Sequence, residues 1–76
     1  MIQYRFIRAN SSEVEVEIDN EEVIFEQGDI AEKHEYSASY FMDGYVGDEK
    51  RYEGIAEFMY GSDDFVDLTE VEQFKV

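Results

Sequence analysis

The chain has no cysteine, no proline and no tryptophan, and it contains one histidine and six basic residues among 76. The lack of cysteine excludes disulfides, thiol nucleophiles and cysteine-ligated zinc, and a single histidine excludes a multi-histidine metal site. No apolar run approaches the ~20 residues that span a bilayer, and the first ten residues lack a signal-peptide core. These absences, together with the compatibility of a cysteine-free chain with a reducing compartment, predict a cytoplasmic protein.

What the chain does contain is apolar and aromatic: 43% of its residues are hydrophobic, with six tyrosines and six phenylalanines. A chain of this length forms one small domain, here residues 1–76, and buries only ~60–65% of its unfolded surface. The aromatic side chains must supply much of that buried area. This content, combined with alternating Val and Ile, predicts a folded chain rather than an acidic disordered tail.

Charge is the outlying property. Twenty acidic residues stand against six basic ones, for a formal net charge of −14. Residues 1–12 hold Arg5 and Arg8 and no acid, so the acidity lies in residues 13–76. Such a field repels nucleic acid and anionic membranes, and it attracts basic proteins or cations. We therefore expect no direct nucleic-acid binding and no membrane binding.

Period-two alternation in the first half predicts three antiparallel strands. "IQYRFIRA" (2–9) and "EVEVEID" (13–19) are separated by the turn residues "NSS", and "EVIF" (22–25) follows a turn at 19–20 or 20–21. With 10–12 as the loop, Phe6 should face Val16, Tyr4 should face Ile18, and Arg5 should lie opposite Glu17. Either second turn puts the apolar side chains on one face and the acids on the other, and the later turn pairs Glu15 with Glu26.

The second half leaves two interpretations open. "KRYEGIAEFMYG" has apolar residues at helical spacing, which gives an α+β fold with a helix at about 49–60. Its even positions are also all non-polar, which is strand periodicity, and "HEYSASYFM" (34–42) alternates in the same way. Pairing 42 with 52 around a loop at 43–51 places Tyr40 over Gly54. With "FVDLTEVEQFKV" (65–76) as a last strand, the sequence predicts a mainly β fold, a small antiparallel meander of five to six strands.

Groups that carry chemistry are few. His34 lies between Lys33 and Glu35 as an ordinary polar residue, no serine has a nucleophile-elbow setting, and no glycine loop is built to hold phosphate. The acidic loops at 43–49 and 61–67 contain the oxygen ligands that calcium prefers but lack the EF-hand spacing. We expect no enzyme activity, no catalytic residue, no metal site and no cofactor.

The feature that does suggest a function is the acidic ribbon at residues 13–26. Side chains on one face of a strand repeat every ~6.7 Å, so the acids of residues 13–19 have about half the linear charge density of a DNA strand, which has one phosphate per ~3.4 Å. A neighbouring strand ~4.8 Å away carrying Glu22 and Glu26 brings the ribbon to a comparable value. In size, charge and lack of cysteine the chain resembles the small acidic DNA-mimic inhibitors of phages and mobile elements, of the anti-CRISPR, anti-restriction and glycosylase-inhibitor type.

The resemblance implies a protein that binds and inhibits a basic nucleic-acid-binding host protein by occupying its DNA or RNA groove. That target is a restriction enzyme, a CRISPR effector or a DNA repair enzyme in the host cytoplasm, and the inhibitor is a monomer or homodimer. Tyr45 or Tyr52 would anchor the edge of the patch. The alternative is a small phage-encoded structural or accessory β domain with a solubilising acidic surface. The predicted partner-binding residues are Glu13, Glu15, Glu17, Asp19, Glu21, Glu22, Glu26, Asp63, Asp64 and Asp67.

Overall fold

A computed structural model describes residues 2–10, 12–62 and 64–75, and all of its regular structure is β. Six strands follow one another in a single antiparallel sheet whose spatial order is the order along the chain. The strands are β1 (Arg5–Ala9), β2 (Glu13–Ile18), β3 (Glu21–Lys33), β4 (Ser37–Val46), β5 (Glu49–Met59) and β6 (Phe65–Gln73). The mainly β prediction is confirmed, and the alternative with a helix at about 49–60 is wrong because those residues form β5. Within the described ranges no helix is present that could cross a membrane.

The sheet curls into a half-barrel whose inner face forms the core. Alternation along each strand sends one set of side chains inward, where they are almost fully buried. The core consists of Val14, Val16, Ile18, Val23, Phe25, Met42, Tyr52, Ala56, Phe58, Leu68 and Val71. The outer face carries most of the charge, so the predicted division of β2 and β3 into an apolar and an acidic face is confirmed.

The first two hairpins have the register that their turns impose. Asp19 and Asn20 both have positive φ, 51° and 65°, as the two-residue type I′ hairpin turn requires. This is the earlier of the two predicted turns, so Glu15 pairs with Ile24 and the pairing of Glu15 with Glu26 is wrong. Phe6 lies opposite Val16 as predicted.

A β-bulge in β1 decides where its second arginine lies. Arg5 pairs with Glu17, but the register shifts after Phe6, so that Arg8 pairs with Glu15. Residues 5 and 8 differ in parity and would point to opposite faces of a regular strand; the extra residue brings both arginines to the outer face. Tyr4 precedes β1 and does not pair with Ile18 in the β1–β2 ladder, so that part of the predicted register is wrong. Its hydroxyl donates instead to the main-chain oxygen of Leu68.

The β4–β5 hairpin differs from its predicted register by two residues. Met42 pairs with Gly54, not with residue 52, and Tyr40 therefore lies opposite Ala56. The connecting loop is much shorter than residues 43–51, because β4 continues to Val46 and β5 begins at Glu49. A slip of two keeps every side chain on its face, so alternation alone cannot detect it.

An aromatic residue does cover a strand glycine, but at a different position from the one predicted. The position of a Cβ on Gly44 lies 2.8 Å from Cε1 of Phe25 and 2.9 Å from Cβ of Tyr52. Gly44 therefore leaves room on the inner face for the ring of Phe25 and the Cβ of Tyr52, and Phe25 covers it as Tyr40 was predicted to cover Gly54.

Candidate acidic interface

The β2–β3 hairpin gathers five of the predicted site residues on the outer face of the sheet. Glu13 lies opposite Glu26, and Glu17 lies opposite Glu22. Glu15 shares the face but is opposite Ile24, whose exposed side chain interrupts the acids at that position. The ribbon is therefore a folded feature, with two pairs of like charges directly opposed.

Arginines of β1 form ion pairs with two of these glutamates. Arg8 makes a bidentate contact with Glu15, with Nε 3.2 Å from Oε2 and Nη2 3.1 Å from Oε1. This contact and the charge of the carboxylate raise the pKa of Arg8. Arg5 Nε lies 3.3 Å from Oε1 of Glu17. Positive and negative side chains therefore alternate where β1 borders the ribbon, and the net negative charge increases from β2 toward β3.

The remaining predicted residues lie away from this group. Asp19 occupies the β2–β3 turn, and Glu21 begins β3 with its Oε1 3.5 Å from Nη1 of Arg51. Asp64 precedes β6 at the opposite end of the strands, and Asp67 lies on β6 opposite Glu57. Asp63 lies outside the described residues. The structure thus brings together the hairpin glutamates but not the acids of residues 64–67.

The sheet register reveals a second acidic arrangement that runs across the strands. Glu26 pairs with Glu13 on one side and with Asp43 on the other, Asp43 pairs with Glu53, and Glu53 pairs with Glu72. Five neighbouring strands therefore each contribute one carboxylate to a continuous row, which we call the transverse row: Glu13, Glu26, Asp43, Glu53 and Glu72. At ~4.8 Å between strands its length is about 19 Å.

Lys50 is the one base seen to contact the transverse row in the described part of the chain. Its Nζ lies 2.9 Å from Oδ1 of Asp43 and 3.6 Å from Oε1 of Glu53, and 4.1 Å from the centre of the Phe74 ring. The hydrogen bond to Asp43 and the charges of both carboxylates raise the pKa of Lys50. Lys50 relieves repulsion at the centre of the row and leaves Glu13 and Glu26 on one side and Glu72 on the other.

Apolar side chains flank the transverse row on both sides. Along the outer face of β4, Asp43 lies between Phe41 and Tyr45, and Phe41 is 54% exposed. Ile55 pairs with Phe41, and Ile24 pairs with Tyr45. Tyr52, the other suggested anchor, is 5% exposed and belongs to the core, so its suggested role is wrong.

Sequence reasoning did not identify Asp43, Glu53 and Glu72 as members of a site. The predicted register paired residue 42 with residue 52 and left Asp43 in the loop, so it did not bring Asp43 and Glu53 together, whereas the structure pairs them in the β4–β5 ladder. The alignment of Asp43 with Glu53 depends on the actual register of the β4–β5 hairpin, which is shifted by two residues from the predicted one. That register includes a bulge between Gly44 and Tyr45.

The described residues contain no group of three or more His, Cys, Asp or Glu side chains placed to hold a metal ion. Residues 43–46, part of the acidic segment 43–49 that contains calcium-type oxygen ligands, lie within β4. The arrangement is thus a charged surface, rigid through its ladder and bordered by apolar residues. Comparison of the chain with protein-family models, with curated proteins and with solved structures finds no match.

Proposed function

We propose that this chain is an acidic nucleic-acid mimic that binds and inhibits a basic nucleic-acid-binding protein by occupying its DNA or RNA groove. The observation that carries the proposal is the transverse row, in which five carboxylates are held in register across β2 to β6. A DNA strand presents five to six phosphates over the same ~19 Å of axis. With Lys50 bound to two of the five carboxylates, the row has a net charge of −4, about three quarters of that of one nucleic-acid strand over the same length.

The energetic cost of the row supports a functional origin. Like charges directly opposite each other in a sheet destabilise it by several tenths of a kcal/mol each. The row contains the opposed pairs Glu13–Glu26, Glu26–Asp43 and Glu53–Glu72, none of which Lys50 bridges. A small domain with a total stability of ~5 kcal/mol keeps such an arrangement where binding requires it.

The apolar borders give the surface a means of tight binding that charge alone lacks. Charge complementarity mainly accelerates encounter and fixes register, whereas desolvated aromatic and aliphatic anchors supply much of the affinity. Phe41 and Tyr45 stand on either side of Asp43 and fit this role. The partner class is a restriction enzyme, a CRISPR effector or a DNA repair enzyme whose groove has basic walls and apolar contacts.

A competition assay tests the proposal. Restriction endonucleases, CRISPR effectors and uracil-DNA glycosylases are assayed on their DNA substrates at low salt with increasing amounts of the chain. We expect inhibition of at least one enzyme class that is relieved by added substrate DNA and by salt. The triple variant E26Q/E53Q/E72Q should lose it, because three of five row charges are removed.

The matched control is D29N/E35Q/D48N, which makes the same change in net charge at three exposed acids outside the row. This control variant should inhibit the enzyme as strongly as the unmodified chain does. Equal loss of inhibition in both variants would show that only total charge matters. Failure of the unmodified chain to inhibit any class would count against mimicry.

The structural or accessory domain has its own supporting observation, in the protection of the sheet edges. Both edge strands are bulged, β1 between Phe6 and Arg8 and β6 at two places, and Glu70 in β6 has a φ of 53°. Bulges and charges on edge strands prevent sheet-to-sheet association. If the acidity serves to prevent association of sheets, the triple row variant should self-associate, which light scattering measures. If the chain is a nucleic-acid mimic, the same variant should stay monodisperse.

A further inference from the structure

The free edge of β6 is closed at Leu68 by side chains. The Leu68 N–H donates to Oδ1 of Asp67 at 2.9 Å, and its main-chain oxygen accepts from the Tyr4 hydroxyl at 2.9 Å. In an antiparallel ladder a residue exchanges these two groups with one residue of the adjacent strand. Two side chains therefore occupy the positions that the main chain of a neighbouring strand would take.

A groove runs along this edge. It has a volume of about 560 Å³ and lies between the N-terminal segment and β6, with Ile2, Tyr4, Leu68 and Val71 among its lining residues. β1 and β6 do not pair with each other in the described sheet, and they approach through the stacked rings of Phe6 and Phe65, 5.3 Å apart. Side chains, and no main-chain ladder, fill the space beside β6.

We propose that residues 67–69, the part of β6 between its two bulges, are a docking edge for an extended strand of a partner protein, which pairs with Leu68 and displaces the Tyr4 hydroxyl. Addition of a strand to an exposed sheet edge takes affinity from main-chain hydrogen bonds and specificity from alternate side chains. The bonds that Tyr4 and Asp67 now supply to Leu68 are replaced one for one, so no main-chain group of this residue loses its partner.

The surroundings of the edge define the chemistry of the added strand. On the inner face it meets Leu68 and Val71, which are buried and apolar, and on the outer face it meets Asp67 and Glu72. Since side chains of a strand alternate between faces, the complementary strand alternates apolar and basic residues.

β1 supplies an internal precedent for this pairing. It is a short strand whose arginines lie against the acidic outer face of β2, with Arg5 on Glu17 and Arg8 on Glu15. The outer face of β6 is acidic as well, and its free edge has no such strand beside it in the described sheet. A second copy of the chain is a poor occupant, because each copy has a net charge of −14 and its β1 is already paired.

The probe is a nine-residue peptide of alternating Lys and Val, added to the full chain at low salt. Its control has the same sequence with five central residues N-methylated, which blocks strand pairing but keeps charge and composition. Binding is measured by calorimetry and amide exchange by NMR. We expect the unmodified peptide to bind at least about tenfold more tightly, the worth of one to two main-chain hydrogen bonds. It should also slow exchange of the Leu68 amide.

Charge at the edge is tested with Asp67→Asn, which keeps the oxygen that accepts from Leu68. The variant should bind the Lys–Val peptide about fivefold more weakly, since one ion pair is lost. The control Asp48→Asn makes the same charge change in the β4–β5 turn and should leave binding unchanged.

Four outcomes overturn the proposal: equal binding of the N-methylated peptide, unaltered Leu68 exchange, no binding of either peptide, or equal effects of the two Asp variants. Self-association of the chain without peptide, with slower Leu68 exchange as concentration rises, would identify a second copy as the occupant instead. No nucleic-acid-binding protein is used, so these outcomes are independent of the proposed inhibition.

Discussion

Glu13 and Glu26 stand directly opposite each other in the β2–β3 ladder, two carboxylates at the closest position that neighbouring strands provide. Glu26 also faces Asp43 on its other side, so it experiences repulsion from both. This makes Glu26 the position at which the cost of the transverse row is most easily measured.

Replacing Glu26 by Gln should increase the free energy of unfolding by about 0.5 kcal/mol at low salt, because two like-charge contacts are removed. Urea denaturation measures the change. The gain should shrink in 1 M NaCl, where the screening length is only ~3 Å. Asp29→Asn removes the same charge from an exposed position outside the row, and a gain as large as that of Glu26→Gln would contradict the local explanation.

Replacing Lys50 by Met should destabilise the domain by about 1 kcal/mol, at the upper end for partly exposed ion pairs. The alkyl stem can still pack on Phe74, but Asp43 and Glu53 then face each other without a cation. Thermal and urea unfolding measure the loss, with Lys33→Met as the charge-matched control. A smaller loss than that of the control would show that Lys50 does not hold the row together.

The Lys50 contribution also has a direction in pH. The folded-state pKa of Lys50 is raised above its ordinary value of 10.5, chiefly by the hydrogen bond to Asp43. The stabilisation is therefore complete below 10.5 and is lost as the pH rises through the folded-state value. The difference between the Met variant and the unmodified chain should fall over that alkaline range.

Replacing Gly44 by Ala should cost about 1–3 kcal/mol, because the new methyl group overlaps the ring of Phe25 and the Cβ of Tyr52. The test is a double-mutant cycle with Phe25→Leu, which shortens one of the two obstructing side chains. The double variant should lose less stability than the sum of the single variants. Strict additivity would mean that Gly44 is required for a reason other than space beneath the ring.

The hydroxyl of Tyr4 should titrate above the ordinary tyrosine value of 10. Its pKa is raised first by burial and then by the charge of Asp67. Because the folded state holds this proton more tightly than the unfolded state, the associated stability is present below pH 10 and is lost as pH rises through the folded-state pKa.

NMR of labelled tyrosine measures this titration. Asp67→Asn should shift the Tyr4 pKa downward, since the second cause of the increase is removed, whereas Asp48→Asn should leave it in place. A Tyr4 resonance that titrates at 10 in the unmodified chain would contradict the buried contact with Leu68.

Local patterning was sufficient for the mainly β class and for the two faces of β2 and the first part of β3, but it left residues 49–60 open between strand and helix and did not show that β3 continues to Lys33. Val14, Val16 and Ile18 alternate with glutamates over an uninterrupted stretch, and their burial follows directly from the period of two. The pairing of Phe6 with Val16 followed from the length of the first turn. These features depend on neighbours in sequence, which is why the sequence reveals them.

The transverse row could not be predicted because it depends on registers that bulges shift. Alternation is unchanged by a slip of two residues, so the position of Asp43 relative to Glu53 is invisible to it. The bulge after Phe6 likewise decides that Arg8 reaches Glu15, and nothing in the "RFIR" pattern marks the extra residue. Residue type indicated a second turn but left its position open between 19–20 and 20–21, and the positive φ of Asp19 and Asn20 identifies the earlier one.

The strictly sequential strand order has a consequence for how this chain reaches its native state. Every ladder joins strands that are neighbours in sequence. Each hairpin can therefore form from a local segment of the chain, which keeps the entropic cost of loop closure small. Growth proceeds outward from whichever hairpin nucleates first. The contacts that join the two ends of the chain, Phe6 with Phe65 and the Tyr4 hydroxyl with Leu68, span the longest sequence separations, and we expect them to form last and open first.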